Sequence, residues 1–208
     1  MPGIIENGEM NELAKRIFDL IFSGAAVLLA SPLMILVAAA IRVKLGSPVF
    51  FVQKRSGLDG CPFNMVKFRT MTNAVDEAGN LLSNAERMTP FGNFLRKTSL
   101  DELPELWNVI RGEMSLVGPR PLLPDYDALY SREHAKRLNV RPGLTGLAQV
   151  NGRSASDWSD RFDQDVFYVE NRSLWFDLKI LFMTARTVVL KDGVTTPDCN
   201  KRFDGYEK

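Results

Sequence analysis

The chain has 208 residues, enough for one well-packed domain with an appendage. Its 26 Lys and Arg nearly balance 25 Asp and Glu, which excludes the broad basic field of a nucleic-acid binder. Its two cysteines, Cys61 and Cys199, form no CxxC pair, and its single histidine, His134, excludes a His-rich metal centre.

Acid–base or nucleophilic chemistry therefore falls to carboxylates, Lys, Tyr or Cys, and the cysteine usage fits a reducing, cytosol-facing environment. Near the N-terminus, Leu20 to Ile41 carries no charge at all. A helix of about 20 apolar residues matches the hydrocarbon core of a bilayer, so this segment reads as membrane-embedded rather than as a cleaved leader. Ser31-Pro32 interrupts it in the middle, where proline removes a backbone donor and clashes with the preceding turn. Each half then measures roughly 15 Å, enough for half a bilayer. Cations flank both ends, Lys15 and Arg16 before and Arg42 and Lys44 after. That symmetry favours a re-entrant helix-break-helix with both ends on one face. A spanning helix and the buried helix of a soluble domain are the other readings.

Beyond Gly46-Ser47-Pro48, residues 49–71 read as a β-hairpin with its turn at Ser56–Pro62. Residues 73–90 are polar and read as a surface loop. Helices are predicted over Pro90–Arg96, Glu105–Ile110 and Tyr126–Leu138. Arg141–Gly146 reads as a turn leading into a short strand at Leu147–Val150, and Trp158–Leu190 has a helical pattern. The fold class is α+β, mostly helical, divided into a membrane helix over residues 1–46 and a cytosolic domain over 47–208.

Chemistry concentrates around Asp101 and Glu102. Ser99-Leu-Asp-Glu102 matches a capping box, in which Ser99 caps a helix and Glu102 returns a bond. Taken alone, that local role is sufficient. The neighbours point further: Arg96 and Lys97 precede the pair, Arg111 follows, and Arg120 stands between Pro119 and Pro121. Flanking prolines restrict the backbone of that arginine, and a guanidinium fork suits phosphate oxygens. Arg141 and Arg153 are further arginines in turns. Carboxylates beside phosphate-seeking cations either hold Mg²⁺ or attack phosphorus to give an acyl-phosphate. No Walker-type phosphate loop occurs.

Lys15-Arg-Ile-Phe-Asp19, Ser31-Pro32, Lys67-Phe-Arg-Thr-Met71, Ser99-Leu-Asp-Glu-Leu-Pro104, Gly118-Pro-Arg-Pro-Leu-Leu123, Arg141-Pro-Gly-Leu-Thr-Gly146 and Ala148-Gln-Val-Asn-Gly-Arg153 occur in that order. Together they resemble the small monotopic bacterial phosphoglycosyl transferases, the bacterial sugar transferase family, from about residue 13 to 190.

The resemblance implies transfer of a sugar-1-phosphate from a UDP-sugar to undecaprenyl phosphate with release of UMP. It places the enzyme at the bacterial inner membrane, contacting lipid, with its catalytic domain on the cytoplasmic face. It implies that Asp101 is a nucleophile carrying a covalent phosphosugar, that Glu102 assists it, and that the two bind Mg²⁺. Direct transfer in a ternary complex, with both carboxylates serving only as metal ligands, is the alternative. Arg96 and Arg120 match phosphate-binding positions, Lys67 and Arg153 match positions linked to activity, and Asp165 and Asp177 fall on acidic positions of the family. Leu147 stands where Trp is usual and Glu105 where Gln is common. The tail from Val194 to Gly205 resembles those of members that use diacetylbacillosamine. Whether the chain forms a homodimer is not written in the sequence.

Overall fold

In the computed structural model, residues 5–151, 157–190, 203 and 205 are described. Helix α1 runs from Ile5 to Lys44, and its Glu12–Lys44 part is long and apolar enough to cross a membrane. It continues through Ser31 and Pro32 without interruption, where the sequence had suggested a break. Proline bends a helix more readily than it ends one when the flanking residues favour helix, and the flanking run is rich in Leu and Ala. Ser31 Oγ donates to Leu28 O at 2.9 Å, occupying a carbonyl in the turn ahead of the proline. Much of the apolar surface of α1 has no protein cover: Leu28 is 75% and Leu29 81% exposed.

Both ends of α1 are nonetheless fastened to the same body. Near its start, Arg16 donates to the carbonyls of Val109 and Ile110 at 2.6 and 2.7 Å. These are last-turn carbonyls of a helix, where acceptors outnumber the helix's own donors; that of Val109 also accepts from Gly112 N at 3.0 Å. Asp19, fully buried, accepts from Lys15 at 2.9 Å and from Leu116 N at 3.2 Å, and Lys15 also reaches Asp177 at 2.7 Å. Towards its end, Val37 and Ile41 pack with Phe68 and Leu95, and Arg69 donates to the carbonyls of Leu45 and Ser47.

The predicted hairpin is present. Strands β1 (Phe50–Ser56) and β2 (Pro62–Phe68) are antiparallel, pairing Phe51 with Lys67, Gln53 with Met65 and Arg55 with Phe63. The loop after it carries isolated bridges, Met71 to Met88 and Val75 to Leu81, and a short helix α2 (Asn84–Arg87). Helices α3 (Pro90–Lys97) and α4 (Glu105–Arg111) lie where the sequence placed them. Asn108, on α4, ties that helix to β2 by accepting from Val66 N at 3.1 Å and donating to Asn64 O at 2.8 Å.

A second, parallel two-stranded sheet joins β3 (Ser115–Val117) to β4 (Gly143–Thr145), followed by helix α5 (Leu147–Asn151). This corrects the expected turn at 141–146 and strand at 147–150: the extended segment is the Gly-Leu-Thr, and the apolar residues after it are helical. Pairing explains the exchange, because Ser115 N donates to Pro142 O at 2.8 Å and Gly118 N to Thr145 O at 2.9 Å. The expected helix over 126–138 is instead two stretches of 3₁₀ helix, Pro124–Leu129 and His134–Asn139. The last helical segment divides into α6 (Trp158–Asn171) and α7 (Leu174–Leu190) at Arg172-Ser173.

The close backbone approach beside the β3–β4 pair leaves no room for side chains at its glycines. A Cβ on Gly143 would stand 2.1 Å from Gly118 N and 2.3 Å from Thr145 O. Gly143→Ala is therefore expected to destabilise the fold by more than about 2 kcal/mol, because the obstacle is backbone that cannot rotate aside. Chemical denaturation checks this.

Candidate active site

The carboxylate pair sits on a 3₁₀ turn, Leu100–Glu102, leading through Leu103 and Pro104 into α4. The capping box is not formed. Ser99 has left-handed backbone, φ 54° and ψ 18°, and its side chain makes no capping bond. A left-handed residue turns the chain sharply; here it directs Asp101 inward. Asp101 is only 8% exposed, whereas the Glu102 side chain is 21% exposed.

Cations converge on this turn from three elements. Lys67 on β2 bridges two carboxylates, 2.8 Å from Glu102 Oε1 and 2.8 Å from Glu105 Oε1. Arg120, half exposed, lies with Nη2 3.3 Å from Glu102 Oε1. Arg96, at the end of α3, donates through Nε to Thr70 Oγ1 at 3.0 Å and exerts its charge on Asp101. The Lys67-Phe-Arg-Thr run thus has a distributed purpose. Lys67 faces the dyad, Arg69 closes the end of α1, and Thr70 orients Arg96.

Burial pushes the Asp101 carboxyl up to about 6, helped by the charge of Glu102 and opposed by Lys67 and Arg96. Burial also pushes Glu105 up to about 7. Arg120 is raised, chiefly by Glu102. A carboxylate that is poorly solvated yet faces cations is a stronger nucleophile than one in water, and its protonation falls near working pH.

The other expected site residues are distributed differently. Asp165 lies behind Arg120 rather than among the phosphate-facing groups: it accepts from Arg137 Nε and Nη2 at 3.1 and 2.9 Å. Arg137 in turn donates to the Arg120 carbonyl at 2.7 Å and to Tyr130 OH at 2.8 Å. Asp177 belongs to a separate polar cavity between the start of α1 and α7, where Lys15 and the Tyr168 hydroxyl bond it at 2.7 and 2.8 Å. Ser31 and Pro32 lie on α1, and Arg153 lies outside the described residues, as does most of the 194–205 tail. Glu105, Asn108 and Arg137 were not read from the sequence as site residues. Their bonds join segments far apart in the chain, and only the presence of Glu105 in place of Gln gave any signal.

A divalent ion fits the dyad by its donor chemistry. Adjacent carboxylates supply hard oxygens, and the Glu102 charge, which adds to burial in raising Asp101, is a repulsion that a cation would relieve. Among the described residues no group of three or more metal-type side chains occurs. Such an ion would rely on Asp101, Glu102 and substrate oxygens, as Mg²⁺ commonly does.

A long apolar helix, a hairpin bearing a lysine, and a half-buried carboxylate dyad ringed by arginines are the parts of a bacterial phosphoglycosyl transferase. The chain belongs to the bacterial sugar transferase family, whose model matches residues 10–191. It is 48% identical over 195 residues to the sugar transferase EpsL of Bacillus subtilis, covering 93% of this chain and 96% of that one. It is 41% identical to the UDP-glucose:undecaprenyl-phosphate glucose-1-phosphate transferase of Caulobacter vibrioides, covering 87% of this chain and 72% of that protein. It is also 41% identical to the undecaprenyl-phosphate galactose phosphotransferase of Salmonella typhimurium, covering 86% of this chain and 41% of that longer protein.

Proposed function

We propose that the chain transfers a sugar-1-phosphate from a UDP-sugar to undecaprenyl phosphate in two displacements at phosphorus. In the first, an Asp101 carboxylate oxygen attacks the sugar-bearing phosphorus, a P–O bond to Asp101 forms, and the bond to the UMP oxygen breaks. In the second, an oxygen of undecaprenyl phosphate attacks the same phosphorus and the Asp101 carboxylate leaves, giving the lipid diphosphosugar. The observation that carries this reading is the placement of Asp101: buried, raised to about 6, and faced by Lys67 and Arg96. The names of relatives acting on undecaprenyl phosphate support the substrate class.

Lys67 and Arg120 hold Glu102 in place and supply positive charge for the incoming diphosphate, and Arg96 supplies charge beside Asp101. Mg²⁺ on Asp101 and Glu102, when bound, neutralises diphosphate charge.

The membrane reading rests on α1. Residues 15–19 bond to α4, β3 and α7, while residues 37–45 pack on the hairpin and α3. One domain touches both ends of the apolar segment. Two ends separated by a bilayer could not meet one domain, so the contacts support both ends of the apolar segment on one face, as a re-entrant helix requires. The proposed nucleotide-sugar donor, a cytosolic metabolite, puts the catalytic domain on the cytoplasmic face of the inner membrane.

The test is intact-protein mass spectrometry after incubation with Mg²⁺ and a panel of UDP-sugars, without lipid acceptor. A phosphosugar-sized adduct on the native protein, absent from Asp101→Ala, is expected, and it names the sugar. UMP release that requires undecaprenyl phosphate, with no adduct for any sugar, would favour direct transfer and leave Asp101 as a metal ligand.

A further inference from the structure

Residues of one parity on the hairpin share a face, and the register puts Gln53, Arg55, Phe63, Met65 and Lys67 on the same one. Phe63 and Met65 are buried in the core beneath it, and Lys67 reaches Glu102 and Glu105 from it. Arg55 therefore projects from the surface that carries the site's lysine. Its neighbour Ser56 fixes that end of β1 to the arginine loop: Ser56 N donates to Leu122 O at 2.9 Å, two residues from Arg120.

Arg55 is poorly compensated for a cation in such a place. Its Nη2 donates to the neutral Gln53 Oε1 at 2.7 Å, and its Nε is buried with no hydrogen-bond partner. Among the described residues no carboxylate forms an ion pair with it, whereas Lys67 has two and Arg120 has one. Burial first, and then the like charge of Arg120, hold its guanidinium below the usual arginine range, against a weaker opposing pull from the Glu105 charge. Two neighbouring guanidinium groups and a buried N–H without an acceptor are costly unless an anion arrives. Fork-shaped donors suit phosphate oxygens in particular.

From this placement we propose that Arg55 is a further diphosphate-binding residue, acting beside Arg120 on the nucleotide-sugar donor. The inference rests on the donor reading above. It gives the hairpin a direct part in substrate binding, in addition to presenting Lys67.

The test uses UDP itself, titrated by calorimetry into the full-length protein in lipid nanodiscs, with Arg55→Gln, Arg55→Lys and Arg120→Ala in parallel. Arg55→Gln is expected to weaken UDP at least tenfold, the factor equivalent to about 1.4 kcal/mol, with the melting temperature unchanged or raised. Arg55→Lys should fall between, keeping the charge without the fork. UDP affinity within twofold of native for Arg55→Gln, while Arg120→Ala is weakened, overturns this inference and leaves the donor reading standing. A melting temperature that falls together with affinity makes Arg55 a structural prop and also overturns it. A folded native protein that does not bind UDP overturns the donor reading, and the inference with it.

Discussion

Asp101→Asn is expected to lower the rate of sugar-phosphate transfer by about 10³-fold or more, the scale on which removing a nucleophile acts, while leaving the protein folded. The side chain is nearly the same size, so packing around the 3₁₀ turn at 100–102 is preserved. Its neutrality removes a buried charge that the native protein keeps at a cost. Burial raises the Asp101 carboxyl from its ordinary 3.8 to about 6. Between those values the folded state binds more protons than the unfolded state, so this group's contribution to stability falls as pH rises through that window. At neutral pH the amide variant should therefore melt no lower than native, and at pH 4 its advantage should vanish. Activity runs the other way. Only the ionised carboxylate attacks phosphorus, so kcat/KM of the native enzyme should fall about tenfold per pH unit below about 6. The two profiles together are diagnostic, because a merely structural aspartate would not link an acid limb of activity to a stability gain on neutralisation. An Asp101→Asn protein with near-native turnover would remove Asp101 from the chemistry altogether.

Why the site was legible while parts of the fold were not follows from where the information lies. Asp101, Glu102, Arg96 and Arg120 declare themselves because charged residues set among prolines, glycines and apolar positions stand out within one short stretch, whereas Lys67, well before them in the chain, is marked only by the family resemblance. The hairpin was equally plain, since a Gly- and Asp-containing turn between apolar strands is a local signal. The strand at Gly143–Thr145 is not local. Those residues have weak strand preference, and they are extended because β3, some 25 residues earlier, supplies their partners. Leu147–Val150, with its apolar content, reads locally as the strand that the pairing puts just before it, and folds as helix instead.

Ser99 illustrates a different loss. Its residue type favours an N-cap, and nothing in the sequence reveals that it adopts φ 54° and abandons the cap so that Asp101 can turn inward. Pro32 is the converse. The residue was correctly singled out, but the apolar helix formers on either side carry the helix through it. Asp165 was legible as an acidic position, but its bond to Arg137, which joins it to the arginine loop, comes only from the fold.

That buried relay yields the second large effect. Asp165 is 4% and Arg137 also 4% exposed, and they meet at 2.9 Å with a second bond at 3.1 Å. Removing one partner leaves the other as an uncompensated charge in the interior, so Asp165→Ala is expected to cost about 3–5 kcal/mol. For a domain of this size that lowers the melting temperature by roughly 6–20 °C. The guanidinium also stacks with Tyr130 and Phe162, at 5.3 Å from each ring centroid, so an apolar pair of similar volume has a ready environment. Arg137→Met combined with Asp165→Leu should recover most of the lost stability. Activity should not recover with it. The Arg120 carbonyl would still lack the Arg137 N–H that holds it at 2.7 Å, and the guanidinium that reaches Glu102 depends on that backbone. A displacement of about 1 Å at such a group can cost up to 10²-fold in rate. Calorimetric melting and steady-state transfer, measured on the single and double variants, separate the two roles. Restored melting with transfer still at least tenfold below native identifies the relay as a positioning device, and joint recovery of both would reduce it to an ion pair that the core can do without.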